Sequence, residues 1–138
     1  MAYQNPDQDT IRRVLEESKT IAVVGLSDKA HRTSYQISKV MQEAGYRIIP
    51  VNPNVDEVLG EKSYPNLKAI DEPIDLINVF RRSEFLPEIA REAAETDADI
   101  FWAQQGVENE EAAKFLKERD FTVIMDMCIK VAHAVLLR

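Results

Sequence analysis

Short apolar runs rich in β-branched residues alternate along this chain with stretches whose apolar positions recur every three or four residues. The first pattern marks strands covered on both faces, and the second marks helices with one buried stripe. Five runs read as strands: Thr20–Leu26, Arg47–Asn52, Ile74–Phe80, Asp99–Ala103 and Phe121–Asp126. Helical spacing fills Ser34–Ala44, Glu84–Glu95 and Glu108–Arg119, with acidic residues early in the last two, where the helix dipole favours them. Gly45 sits where the first of these should stop. Asn5-Pro6-Asp7 opens another helix running to about Ser18, and a weakly amphipathic helix near Lys130–Leu137 closes the chain. The stretch Pro53–Pro73, punctuated by Pro53, Gly60, Pro65 and Pro73, reads as loop with one short helical turn.

Strands alternating with helices predict a single three-layer, doubly wound α/β domain over residues 1–138. Right-handed crossovers then give a Rossmann-like five-stranded parallel sheet, for which the expected strand order is 3-2-1-4-5. Apolar residues at 45% and charged residues at 30% fit a globular domain rather than a disordered or fibrous one. A net charge of −7 without a basic patch repels polyanions, so nucleic acid is not an expected partner. No apolar stretch approaches the ~20 residues of a membrane span, and Met1–Asp9 lacks the basic start and apolar run of a signal peptide. The one cysteine, Cys128, has no partner for an internal disulfide or a Cys-x-x-Cys pair, which fits a reducing cytoplasm.

In a doubly wound sheet, ligands bind beyond the carboxyl ends of the strands, near the switch point, placed here between strands one and four. Strand one leads into Val24-Gly25-Leu26-Ser27-Asp28-Lys29-Ala30-His31-Arg32-Thr33-Ser34-Tyr35. This is neither a G-x-G-x-x-G fingerprint nor a Walker A loop. It nevertheless has the parts of a phosphate site: Gly25 for close backbone approach, helix N-terminal amides, Arg32 for charge and the Ser27 and Ser34 hydroxyls. The plainer alternative is that Thr33 or Ser34 caps the helix and Arg32 is solvated. Strand two ends at Asn52-Pro53, where an NAD site would place an Asp or Glu on the ribose hydroxyls. A neutral residue favours a ligand phosphorylated on its ribose, NADP or coenzyme A, with Lys29, His31 and Arg32 supplying charge; otherwise Asn52-Pro53 is only a turn.

Strand three ends in Phe80-Arg81-Arg82, where Phe80 suits an adenine or a pantetheine arm and Arg81 suits a pyrophosphate, unless it pairs with Glu84 or Glu88 at the surface. Strand four ends in Trp102-Ala103-Gln104-Gln105-Gly106, and the Gln104 amide suits the peptide-like groups of pantetheine, whereas Trp102 reads as core. After strand five, Cys128 reads as a small buried hydrophobe rather than a nucleophile, since no His lies near it in sequence. His133 reads as partly buried among apolar neighbours, and His31 with His133 makes no metal site.

The segments Val23-Val24-Gly25-Leu26-Ser27, Arg32-Thr33-Ser34-Tyr35, Gly45-Tyr46-Arg47-Ile48-Ile49-Pro50-Val51-Asn52-Pro53 and Val79-Phe80-Arg81-Arg82 together resemble the small bacterial and archaeal CoA-binding domain proteins. Glu57-x-x-Gly60, Trp102-x-Gln104-x-Gly106, Glu110-Glu111-Ala112-Ala113 and Asp126-x-Cys128-Ile129 extend the likeness over nearly the whole length. That family is similar to the CoA-binding N-terminal domain of the succinyl-CoA synthetase α subunit. The resemblance implies a Rossmann-type fold and CoA as ligand, held by Gly25, Ser27, Arg32, Ser34, Asn52, Pro53, Phe80 and Arg81. Ala30 replaces a usual proline, Gln105 an apolar residue and Met127 a common arginine, which leaves no cation at that last position. The synthetase's catalytic histidine belongs to a second domain without counterpart here, so the expectation is a small-molecule binding protein, free to form a homodimer, with no catalysis of its own. The rival is a nicotinamide-dependent oxidoreductase or small acyl-CoA-using enzyme in which Cys128 or Asp126 acts.

Overall fold

In this computed structural model, which describes residues 4–137, the predicted strands form one parallel sheet. In chain order its members are β1 (Thr20–Val24), β2 (Arg47–Val51), β5 (Leu76–Val79), β6 (Ile100–Ala103) and β7 (Thr122–Ile124). Two further short strands, β3 (Glu57–Val58) and β4 (Glu61–Lys62), pair as a small antiparallel hairpin inside the segment expected to be loop. The predicted helical turn in that segment is a 3-10 turn at Leu67–Ala69, capped by the Asn66 side chain. The first three residues of the Met1–Asp9 stretch, and Arg138, lie outside the described residues.

Each helix forms where its local chemistry directs. Asp7 accepts a hydrogen bond from the Thr10 amide at 2.8 Å and starts α1 (Gln8–Glu17). α2 (Thr33–Glu43) ends in a Schellman turn: Tyr46 N–H donates to the Met41 carbonyl and Gly45 N–H to that of Gln42, with Gly45 at φ 109°. The Asn109 side chain caps α4 (Glu110–Lys117), while α3 (Leu86–Ala93) follows a 3-10 turn at Ser83–Phe85 and α5 (Ile129–Leu136) closes the described chain. None of these is long and apolar enough to cross a membrane.

Strand side chains alternate between faces. Ala22, Val24, Ile77, Val79 and Phe101 pack under α3 and α4, while Ile21, Val23, Leu76 and Trp102 pack under α1, α2 and α5. Phe101 and Trp102 are both fully buried, each contributing about 1.5–3 kcal/mol of hydrophobic stabilisation. Trp102 is thus core, and its indole N–H donates to the Met127 carbonyl at 2.8 Å.

The α/β class and the five parallel strands are as expected, but the strand order is not. The sheet runs β2-β1-β5-β6-β7, which is 2-1-3-4-5 in chain order rather than 3-2-1-4-5. The outer edge of β2 is taken by the irregular segment itself: Tyr64 N–H donates to the Pro50 carbonyl and Asn52 N–H to that of Tyr64. The third strand therefore pairs on the free side of β1. Pro50, which has no N–H to give a second neighbour, belongs on such an edge strand.

Candidate functional site

The corrected order moves the switch point to the gap between β1 and β5, where a 2-1-3-4-5 sheet opens its ligand crevice. Register brings the strand ends level there. Val24 pairs with Val51 on one side and Val79 on the other, and Val79 pairs with Ala103, so Gly25, Asn52, Phe80 and Gln104 follow along one rim. Gly25, Asn52 and Phe80 fall inside the strands expected from sequence and Gln104 just after the fourth; the observed strands stop just before all four, because the chain must leave the sheet to build the rim.

Two clefts open along this rim, one of about 940 Å³ and one of about 730 Å³. Gly25, Arg32 and Arg81 line both, so the clefts meet at these residues. Ser27, Ser34, Phe80 and Gln104 belong to the larger cleft, Asn52 and Pro53 to the smaller. The rim thus brings every residue of the sequence-derived site to one continuous groove.

At the junction, Gly25 turns at φ 86°, and a Cβ there would lie 2.6 Å from the Phe80 carbonyl oxygen. Only glycine lets β1 and β5 approach this closely before the chain turns into the loop. α2 then begins at Arg32, whose extended backbone makes it the N-cap, and no side chain caps the helix. Ser34 does not act as a cap. Its hydroxyl accepts from the Ser27 amide at 3.0 Å, and the Ser27 hydroxyl from the Lys29 amide at 3.0 Å, so the serines brace the loop that presents the helix N-terminus. Arg81 stacks over the Phe85 ring at 4.6 Å, and Glu84 is taken by Arg82 at 3.2 Å. Among the described residues no carboxylate lies within ion-pair distance of Lys29, Arg32 or Arg81. His31 is exposed on the same loop but lines neither cleft.

Asn52 is engaged on both sides. Its amide donates to the Leu26 carbonyl at 2.9 Å and its oxygen accepts from the Asn54 amide, an Asx turn that pins the end of β2 to the loop after β1. Gln104 is buried, donates to Asn78 Oδ1 at 2.5 Å and accepts from the Ile129 amide at 3.4 Å, so one donor and one acceptor of its amide are committed inside the protein. Sequence reasoning did not assign Thr33, Ser83 and Val107 to the larger cleft or Asn66, Glu88 and Glu92 to the smaller one. The last two make an acidic wall, with Glu92 Oε1 accepting from the Leu67 amide. The sequence suggests Glu88 only as a surface partner for Arg81, and nothing local points to Glu92; both sit on α3 and reach the site through the unforeseen strand order. Cys128, half-buried at the N-cap of α5, also lines the larger cleft. His133 lies elsewhere, edge-on to the Tyr46 ring with centroids 5.7 Å apart.

The chemistry of the junction suits an anion: two unpaired guanidiniums and an uncapped helix N-terminus, with the Lys29 ammonium in the larger cleft and neutral Asn52 in the smaller, where a ribose-binding carboxylate is otherwise found. The family model for the CoA binding domain matches residues 19–134. The chain belongs to the CoA-binding domain family.

Its relatives within and around that family differ in scale. The uncharacterized protein YneT of Bacillus subtilis (strain 168) is 64% identical over 132 residues, covering 96% of this chain and 98% of the relative. An ADP-forming acetate–CoA ligase II of Archaeoglobus fulgidus is 30% identical over 79 residues, but these are 56% of this chain and only 12% of the ligase. Among solved structures, a hypothetical protein from Pyrococcus horikoshii OT3 superposes with a TM-score of 0.93 at 32% identity, with 100% of each chain covered. This CoA-binding domain thus corresponds in extent to small proteins and to a fraction of a large ligase.

Proposed function

We propose that this domain binds coenzyme A, or an acyl-CoA, as a small cytoplasmic binding protein without catalytic activity of its own. The observation that carries the reading is the junction of the two clefts at Gly25, Arg32 and Arg81. CoA is a ligand of two arms joined by a pyrophosphate, and the groove has two lobes joined by its cationic point. Glu88 and Glu92 disfavour phosphate beside them in the smaller cleft, which favours the pyrophosphate at Arg32 and Arg81. Adenosine then lies by Asn52 and Pro53, and the pantetheine arm crosses Phe80 toward Gln104 in the larger cleft.

The residues present fit this ligand better than NAD, which would want a carboxylate in place of Asn52. A catalytic reading has less support. Neither His31 nor His133 lines the cleft with Cys128, so the thiol has no imidazole to activate it.

Isothermal titration calorimetry tests the proposal. CoA should bind more tightly than NAD or NADP, and Arg32→Ala should weaken CoA at least about tenfold, the scale of one lost charge-assisted hydrogen bond. A preference for either nicotinamide cofactor, or unchanged CoA affinity in Arg32→Ala, would overturn it.

A further inference from the structure

Beside the larger cleft, Asp126 holds φ 55°, in the left-handed region that most residues other than Gly, Asn and Asp avoid. Its side chain is put to use there. Oδ1 accepts the Gly106 N–H at 2.6 Å, while the Asp126 N–H donates to the Val107 carbonyl at 3.0 Å. The next residue continues the stitching, with Met127 N–H donating to the Ala103 carbonyl at 3.4 Å and its own carbonyl accepting from the Trp102 indole. The end of β7 therefore grips the loop that leaves β6 from both of its sides.

That loop matters because Gln104, Gln105, Gly106 and Val107 all line the larger cleft, and none of them lines the smaller one. Asp126 itself lines neither. Gly106, at φ 83°, has open space where a Cβ would stand, and its N–H is held by the Asp126 carboxylate. The bonds to Val107, Ala103 and Gln104 would remain, so loss of that one bond would loosen the Gly106 turn in the wall of one lobe and leave the other lobe untouched.

On the reading of the groove as a CoA site, we propose that Asp126 is a positioning residue that fixes the Gln104–Val107 loop as the wall for the pantetheine arm. It thereby sets affinity for the thiol-bearing half of the ligand and not for its nucleotide half. No other atom in the described structure performs this task for Gly106 N–H.

The test compares calorimetric affinities for CoA and for adenosine 3′,5′-bisphosphate, which keeps the nucleotide half and lacks the arm. Asp126→Gly adopts the same backbone without strain and removes the acceptor, whereas Asp126→Asn keeps both. Asp126→Gly should lose about tenfold for CoA and nothing for the bisphosphate, and Asp126→Asn should stay within about twofold of wild type for both. In the wild-type protein, hydrogen exchange at the Gly106 amide should slow with CoA bound and not with the bisphosphate. Equal losses for both ligands, an unchanged CoA affinity in Asp126→Gly, or exchange at Gly106 indifferent to CoA would overturn the inference while leaving the CoA site standing. A wild-type protein that binds neither ligand would overturn the CoA site itself.

Discussion

At Gly25 the backbone turns at φ 86° directly beneath the Phe80 carbonyl, so any Cβ meets both an unfavourable dihedral and an oxygen 2.6 Å away. Gly25→Ala should therefore destabilise the fold by at least about 2 kcal/mol, since the left-handed dihedral alone costs roughly 1–2. It should also weaken CoA binding, because β1 and β5 must move apart at the junction. Urea unfolding and calorimetry on the same variant check both effects, and a variant as stable as wild type would contradict this account of the turn. The glycine was legible in sequence because its position after a β-branched strand dictates its conformation. The serines and glutamine were legible only as polar groups. Ser34 was open to a capping role and instead bonds to Ser27, and Gln104 suited a ligand amide yet has a donor and an acceptor committed to Asn78 and Ile129. Such pairings depend on residues 7 to 26 positions away, which no local pattern displays.

The elements that position the site are tied by a few long-range polar contacts. Asn5 donates to the Met125 carbonyl and accepts from the Met125 amide, both at 2.8 Å, so the segment before α1 behaves as a one-residue partner for the end of β7. Asn5→Ala should cost about 1–2 kcal/mol in urea unfolding, the value of two ordinary hydrogen bonds. At the other edge, Arg47 on β2 grips Glu72 in two contacts of 2.5 and 2.8 Å and Glu61 at 3.1 Å. The Arg47 guanidinium holds the Glu72 carboxyl below its ordinary value. A carboxylate depressed in the folded state adds stability above its unfolded pKa and loses it as pH falls through the lower folded value. Wild type should accordingly lose, on acidification below about pH 4.5, the advantage it holds over Glu72→Gln at neutral pH. Because the pair is partly exposed, that advantage is about 1 kcal/mol or less. Thermal unfolding of both proteins from pH 7 downward reads it, and a difference independent of pH would contradict it. Helix and strand positions were read from periodicity to within a few residues. The β3–β4 hairpin escaped because two-residue strands carry no alternation to detect.

At the scale of the whole molecule, the class of fold followed from strand–helix alternation, but the strand order required a clue that lay unused in Pro50. A proline has no N–H for a second neighbour, so β2 belongs at an edge, and the order 3-2-1-4-5 would have buried it in the middle. Correcting the order moved the crevice from between strands one and four to between strands one and three, which is why Glu88 and Glu92 of α3 came into the site unforeseen. Charge behaves differently at the two scales. The chain carries −7 overall, yet Lys29, Arg32 and Arg81 all line the larger cleft. CoA affinity should thus fall as salt is raised from low ionic strength, and fall less steeply in Arg32→Ala, since only the local cations attract the ligand. The most direct measurement is a crystal structure of the protein with CoA. It should show the pyrophosphate between the first turn of α2 and Arg81, adenosine against Asn52 and the pantetheine arm along Phe80. Ligand density elsewhere on the molecule, with the Gly25–Arg32–Arg81 junction free of phosphate, would contradict the account.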